Sequence, residues 1–166
     1  MMAAIRRSGA TLELLLLSAI FLVVSGCMQQ SSTNDIYLIP EGYEGTVYAF
    51  YHVKNAPPLT YEGEYALHTI NDKGYFATSA PDMEYGLITD KYYYVDKKGQ
   101  RTEIPSSCLR IMGTGGYSTN IGAPDEINIH YTGVEVTHSK CGPAFQDSGT
   151  EEQNEVLGHM LEEYYK

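Results

Sequence analysis

Thr46-Val47-Tyr48-Ala49-Phe50-Tyr51-His52-Val53 is the stretch that decides the fold. Side chains alternate between the two faces of a strand, so the odd-numbered residues share one face and the even-numbered residues share the other. Both faces carry large apolar side chains, whereas a strand with one solvated face would alternate apolar and polar residues. The stretch therefore predicts a strand in the centre of a sheet that is covered on both faces.

Outward from this strand, short runs rich in Tyr, Val, Ile and Thr recur from Asp35 to about His138, separated by turn residues. Two turns, at 71–74 and 96–99, each end in glycine and predict β-hairpins between their flanking runs. The segment from Gly113 to Asp125 contains four glycines and a proline and is interpreted as a loop. Many short strands with frequent turns favour an all-β sandwich of about seven to nine strands.

The C-terminal stretch has a helical period instead. Its apolar residues fall along one stripe: Val156, Leu157, Met160, Leu161 and Tyr164. This pattern predicts one amphipathic helix at about 151–165 that packs against the sheet. The sequence therefore predicts a single β-rich domain over 35–166 with a C-terminal helix.

The N-terminus has the layout of a secretory signal peptide. Arg6 and Arg7 precede an apolar stretch from Leu14 to Val24, and small residues follow it. A helix that spans the bilayer needs roughly 20 apolar residues, and this stretch is shorter. The pattern predicts a signal peptide over residues 1–26.

The four residues Val24-Ser25-Gly26-Cys27 resemble the lipobox of bacterial lipoproteins. This motif implies cleavage before Cys27 and lipidation of its thiol with fatty acyl chains such as palmitate; two or three such chains make membrane attachment stable. The alternative is an ordinary signal peptide with an incidental cysteine. Residues 27–34 are polar after Met28 and are interpreted as a lipidated, flexible tether. The predicted location is the cell membrane, lipid-anchored on its extracytoplasmic side.

The chain is acidic: 11 Lys and Arg oppose 21 Asp and Glu, for a formal net charge of −10. Nucleic acid is therefore an unsuitable partner, because binding it requires basic side chains that neutralise phosphates. The membrane contact is expected through the lipid. The sequence does not identify a ligand, which could be a protein, a peptide or a glycan.

Lipidation of Cys27 leaves an even pair of cysteines, Cys108 and Cys141. Disulfides persist in the compartment to which an exported chain is delivered, so a bridge between them is predicted. The alternative is two separate reduced thiols.

Catalytic and metal-binding motifs give little support for an enzyme. His130, His138 and Cys141 are weak metal-ligand candidates, because no second close pair completes the set. No serine has the G-x-S-x-G setting of a hydrolase, and the glycine-rich segment lacks the lysine of a phosphate loop. No catalytic residue and no cofactor is predicted.

Tyrosine is abundant, with 15 residues, three of them consecutive at Tyr92, Tyr93 and Tyr94. Exposed tyrosines supply flat amphipathic surface, so this triplet could form an aromatic face for a peptide or glycan. The alternative is that a small β domain uses tyrosine to fill its core and cover its surface.

Several segments together resemble an uncharacterised domain family of secreted bacterial lipoproteins. The resemblance covers Asp35 to about Ile104 and rests on 37–45, 56–59, 78–79, 84–86 and 90–96. It implies export and a small β-rich domain, and it transfers no catalytic residue. Thr46 and Ala80 stand where many members are expected to carry tryptophan and serine.

The sequence favours a membrane-anchored lipoprotein with a non-enzymatic binding or structural domain of the cell envelope. Two alternatives remain: an envelope hydrolase or metal-dependent enzyme, and an accessory or sensor subunit of a membrane complex.

Overall fold

The computed structural model of the protein describes residues 31–147 and 154–166. These residues form nine strands, a 3-10 helix (Ser106–Cys108) and two α-helices, α1 (Pro143–Gln146) and α2 (Asn154–Tyr165). The strands are β1 (Asp35–Pro40), β2 (Gly45–Tyr51), β3 (Thr60–Glu62), β4 (Tyr65–Thr69), β5 (Tyr75–Ala77), β6 (Lys91–Val95), β7 (Arg101–Glu103), β8 (Leu109–Thr119) and β9 (Ile127–Val136).

The strands form two packed sheets. One has the order β3-β4-β1-β6-β7, and the other has the order β5-β2-β9-β8. A cluster of buried residues from both sheets fills the space between them, including Ile39, Val47, Tyr92 and Val136. The prediction of an all-β sandwich of seven to nine strands with one C-terminal helix is confirmed.

Strand β2 is central, as its sequence predicted. It pairs with β5 in parallel and with β9 antiparallel. Val47, Ala49 and Tyr51 face the other sheet, while Tyr48 and Phe50 lie in a second buried cluster on the opposite face. The large side chains on both faces of β2 are therefore explained by a buried cluster on each side of the strand.

Helix α2 supplies the layer on the second face. Val156 and Met160 pack in the same cluster as Tyr48 and Phe50, and Met160 is fully buried. The Tyr75 hydroxyl donates a hydrogen bond of 2.6 Å to the Glu163 carboxylate, which fixes the helix against β5. The predicted packing of the apolar stripe on the sheet is confirmed.

The first predicted hairpin is wrong, although its turn is present. Asn71 and Gly74 close the turn with a backbone hydrogen bond of 3.0 Å, and Gly74 has a φ of 85°. The strands on either side belong to different sheets, because β4 pairs with β1 and β5 pairs with β2. A turn motif determines only the direction of the chain within the turn. Ile70 and Tyr75, which flank the turn, are buried in different clusters, and this places the two strands in different sheets. The second predicted hairpin, β6 with β7, is confirmed.

The predicted loop over 113–125 is also wrong in its first part, because β8 continues to Thr119 and pairs with β9. One of its glycines, Gly115, makes room for an aromatic ring of the neighbouring strand. A Cβ atom on Gly115 would lie 2.6 Å from the Tyr131 ring. A register shift between Ile111 and Gly113 leaves Met112 as the extra residue of a bulge, next to the pair Gly113–Gly133.

The five-stranded sheet is strongly curled. Arg101 on edge strand β7 and Glu62 on edge strand β3 form two hydrogen bonds of 2.9 and 2.8 Å. A flat sheet of five strands would hold its edges about 19 Å apart. The ion pair therefore requires the face that points away from the second sheet to be concave.

Candidate functional site

The predicted lipidation site, Cys27, lies outside the described residues, as do the signal peptide and the first four residues of the predicted tether. The remaining tether residues, 31–34, are held against the segment 85–90. Leu87 donates a backbone hydrogen bond of 2.8 Å to Ser31 and accepts one of 3.0 Å from Thr33. Residues 31–34 of the predicted tether therefore make hydrogen bonds to the β-rich domain.

Cys108 and Cys141 are joined by a disulfide in the structure. The bond connects the 3-10 helix before β8 to the segment that follows β9. Glu44 fixes that segment as well, since its carboxylate accepts hydrogen bonds from the backbone N–H groups of His138 and Ser139 and from the Thr137 hydroxyl. These bonds lower the pKa of Glu44 to about 2, the largest contribution coming from the His138 backbone.

The three consecutive tyrosines do not form one aromatic face, so this prediction is wrong. They lie on β6, where successive side chains point to opposite faces. Tyr92 is 7% exposed and lies in the core between the sheets, and Tyr94 packs against that core. Tyr93 points to the other face of the sheet.

The weak metal candidates are not brought together either. His130 lies near the start of β9 and His138 lies two residues beyond its end, so about 27 Å of extended chain separates them. His130 contacts Asp82 at 2.8 Å, while Cys141 is in the disulfide. Within the described ranges, no group of three His, Cys, Asp or Glu residues is placed to hold a metal ion.

A cavity of about 140 Å³ between the sheets is lined by several carboxyl and tyrosine side chains. Strand β1 contributes Asp35 and Tyr37, which point inward, and Tyr92 comes from the neighbouring β6. The rings of Tyr37 and Tyr92 stack with centroids 4.9 Å apart. We call this cavity, bordered by Asp35, Tyr37, Glu84, Asp90 and Tyr92, the acidic pocket.

Asp90 holds the edge of the acidic pocket together. Its carboxylate accepts hydrogen bonds from the Thr33 hydroxyl, from the Asp35 backbone N–H at 3.2 Å and from the Tyr92 hydroxyl at 3.3 Å. The bonds to Thr33 and Asp35 join residues more than fifty positions apart in the sequence. Asp90 thereby connects the start of β1 to the start of β6.

Unlike the Asp90 carboxylate, the Asp35 carboxyl has no hydrogen-bond partner among the described residues. Its side chain makes no hydrogen bond to another described residue, although the residue is only 6% exposed. Burial, followed by the nearby charges of Asp90 and Glu84, raises the pKa of Asp35 to about 8. At neutral pH this carboxyl is therefore mostly protonated.

A second buried polar group lies close by. His68 is fully buried, and its Nε2 atom lies 3.0 Å from the Tyr51 hydroxyl. Its Nδ1 atom has no hydrogen-bond partner among the described residues. Burial lowers the pKa of His68 to about 3, so the ring stays neutral.

Sequence reasoning missed the acidic pocket. Asp35 immediately precedes the apolar run Ile36-Tyr37-Leu38-Ile39, which is a signal that the carboxyl could be carried into the core. The partner residues 83–90 come from a distant segment, and no local spacing connects them to β1.

A protein-family model matches residues 31–145, and it describes a family of unknown function, DUF6843. The chain belongs to this family. The match begins at Ser31 and extends beyond Ile104, so β8, β9 and α1 are part of the family domain. The expected resemblance to an uncharacterised family is thus confirmed, and its C-terminal limit at Ile104 was too short.

One solved structure of a relative is a crystal structure at 2.75 Å of a "Putative Lipoprotein from Bacillus anthracis". Its sequence is 32% identical to this member of the family, and the TM-score is 0.70. The alignment covers 82% of this chain and 99% of that chain. The two proteins therefore share the whole sandwich.

No curated protein matches the sequence. In the parts of the chain that the structure describes, no helix is long and apolar enough to cross a membrane.

Proposed function

We propose that this DUF6843 protein is a lipoprotein of the bacterial cell envelope, anchored through lipid on Cys27 and presenting a non-enzymatic binding domain on the extracytoplasmic side. The observation that carries the proposal is the lipobox-like Val24-Ser25-Gly26-Cys27 at the end of a signal-peptide pattern. The name of the Bacillus anthracis relative supports the same class of protein.

The disulfide supports export. A bond between Cys108 and Cys141 is stable in an oxidising compartment and is uncommon in the cytosol. An exported protein that keeps this bond gains stability, because the crosslink restricts the unfolded chain.

Covalent geometry limits the length of the link between Cys27 and the first described residue. Three residues separate Cys27 from Ser31, so a fully extended link reaches about 14 Å. Ser31 donates a hydrogen bond of 2.7 Å to the Tyr85 carbonyl, at the border of the acidic pocket.

The acidic pocket supports a binding role. It combines a buried carboxyl, stacked tyrosine rings and an apolar rim, which together suit recognition of a small group. Two of the ligand candidates of the metal-dependent alternative, His130 and His138, lie eight residues apart, one within β9 and the other beyond its end.

Membrane fractionation with lipid labelling tests the proposal. The wild-type chain should fractionate with membranes and incorporate a labelled fatty acid, whereas Cys27→Ala should lose the label and the membrane attachment. The matched control is the double variant Cys108→Ala/Cys141→Ala, which removes the other cysteines and should keep both label and attachment. Labelling of Cys27→Ala at the wild-type level would refute the proposal.

A further inference from the structure

The acidic pocket contains two polar groups that have no hydrogen-bond partner among the described residues and that face the cavity. Tyr37 is 3% exposed and lines the pocket, and its hydroxyl makes no hydrogen bond to any other residue that the structure describes. The Asp35 carboxyl, two residues earlier on the same face of β1, also makes no hydrogen bond to another described residue. Neither group is used in a hydrogen bond within the described protein, so both are available to a polar ligand that enters the cavity.

The charge of the pocket identifies the sign of that ligand. Besides Asp35, which is mostly protonated at neutral pH, the carboxyl groups of Glu84 and Asp90 border it, and its lining contains no Lys, Arg or His. The protein as a whole is also acidic, with a formal net charge of −10. A cation is therefore attracted, and an anion is repelled.

The ligating groups favour an organic cation over a metal ion. No three His, Cys, Asp or Glu side chains of the described segments converge closely enough to hold a metal. The remaining lining is aromatic and apolar: the Tyr37 and Tyr92 rings lie inside, and the rim includes Tyr85, Ile88 and Ile111, which are 56%, 52% and 44% exposed. Aromatic faces attract ammonium groups, and apolar rims accept their alkyl chains.

The size of the pocket limits the ligand further. Its volume is about 140 Å³, and an engineered cavity of about 150 Å³ admits one benzene molecule, which has six heavy atoms. A linear primary amine of about the same number of heavy atoms fits this space.

We propose that the acidic pocket binds a primary alkylammonium group, with the Asp35 carboxylate and the Tyr37 hydroxyl accepting hydrogen bonds from its N–H groups. The ammonium can belong to a free amine or to a lysine side chain. This inference rests on the binding role proposed above and names the ligand class. It does not depend on the lipid anchor.

Calorimetry at pH 7 on the chain from residue 27 with Cys27→Ser tests the inference, with pentylammonium chloride as the probe and 1-pentanol as its neutral analogue. Pentylammonium should bind at least about tenfold more tightly than 1-pentanol, because only the ammonium is charged. Since the pKa of Asp35 is about 8, binding should release close to one proton, measured from the dependence of the heat on buffer ionisation. Equal binding of the two probes would overturn the proposal.

Variants locate the site. Asp35→Asn should weaken pentylammonium binding about ten- to a hundredfold, the usual effect of losing a charged hydrogen bond. Tyr37→Phe should weaken it less, and its thermal unfolding shows whether it is folded. Asp72→Asn removes one carboxylate from an exposed turn and should bind as the parent does. Unchanged affinity in Asp35→Asn would overturn the proposal.

A third probe, Nα-acetyl-lysine methylamide, distinguishes the two sources of the ammonium. Affinity equal to or above that of pentylammonium assigns the pocket to a lysine side chain of a protein partner, whose flanking atoms contact the apolar rim. Affinity at least about tenfold lower assigns it to a free amine, since the added amide groups then clash with the rim. Both results uphold the ammonium chemistry. Failure of pentylammonium to bind, with normal lipidation of Cys27, would refute this inference and leave the proposed function intact.

Discussion

Replacing Asp35 with asparagine removes a carboxyl whose ionisation opposes folding. In the native state its pKa is about 8, compared with an ordinary value of 3.8. The folded protein therefore keeps a proton that the unfolded chain releases, and the free energy of unfolding of the wild type falls as the pH rises from about 4 to about 8. Asparagine has nearly the same shape and does not titrate.

The magnitude follows from the size of the shift. Each pKa unit corresponds to about 1.4 kcal/mol, so holding Asp35 protonated at pH 7 costs at most about 4 kcal/mol. The carboxyl borders a pocket that opens to solvent, and screening lowers this cost to about 2 kcal/mol. Asp35→Asn should therefore be more stable than the wild type by about 2 kcal/mol at pH 7, relative to their difference at pH 4.

Urea unfolding followed by circular dichroism, at one-unit intervals from pH 4 to pH 8, measures this effect. The relevant quantity is the change with pH of the difference between variant and wild type, since a fixed offset reflects only the new amide. Asp72→Asn, which removes one carboxylate from an exposed turn, is the matched control and should change stability by less than about 0.5 kcal/mol. A difference between Asp35→Asn and wild type that stays constant over this range would refute the reasoning.

Three further predictions concern His68, the disulfide and Gly133. Because the pKa of His68 is lowered to about 3, its ring signals in NMR spectra should stay constant between pH 7 and pH 5; titration near pH 6.5 would contradict the burial. Below pH 6.5 the unfolded chain binds a proton at His68 that the folded protein does not bind. The contribution of His68 to the free energy of unfolding should therefore fall by about 1.4 kcal/mol for each pH unit below 6.5, whereas the contribution of Asp35 falls as the pH rises. Mass analysis after alkylation without reductant should find no free thiol at Cys108 or Cys141, and their replacement by alanine should cost about 3 to 4 kcal/mol; two alkylated thiols would exclude the bridge. In Gly133→Ala the new Cβ would lie 2.5 Å from the Tyr48 ring, so urea unfolding should show a loss of about 1 to 3 kcal/mol, while the control Gly158→Ala in helix α2 should gain up to about 1 kcal/mol; equal effects would contradict the tight contact.

The central strand and the C-terminal helix could be predicted from sequence because each is encoded by its own residues. Apolar side chains on both faces of 46–53 require two covering layers, and the stripe from Val156 to Tyr164 requires a surface to pack on. The hairpin at 96–99 could be predicted for the same reason, since its two strands pair with each other.

The features that sequence missed depend on residues far apart in the chain. The turn at 71–74 gives no indication that β4 and β5 enter different sheets, because each strand takes a parallel partner elsewhere. The glycines of β8 indicated a loop, yet Gly115 leaves room for the ring of Tyr131 on the next strand. The acidic pocket depends on Asp35 and Asp90, which are 55 residues apart and become neighbours only when β1 pairs with β6.

The proposed function depends on attachment of the β-sandwich to the membrane through Cys27. The most direct test is mass spectrometry of the N-terminal peptide from the protein purified out of native membranes. We expect this peptide to begin at Cys27 and to carry a diacylglyceryl group on its sulfur. A peptide that begins at another residue, or a Cys27 with an unmodified thiol, would contradict the claim.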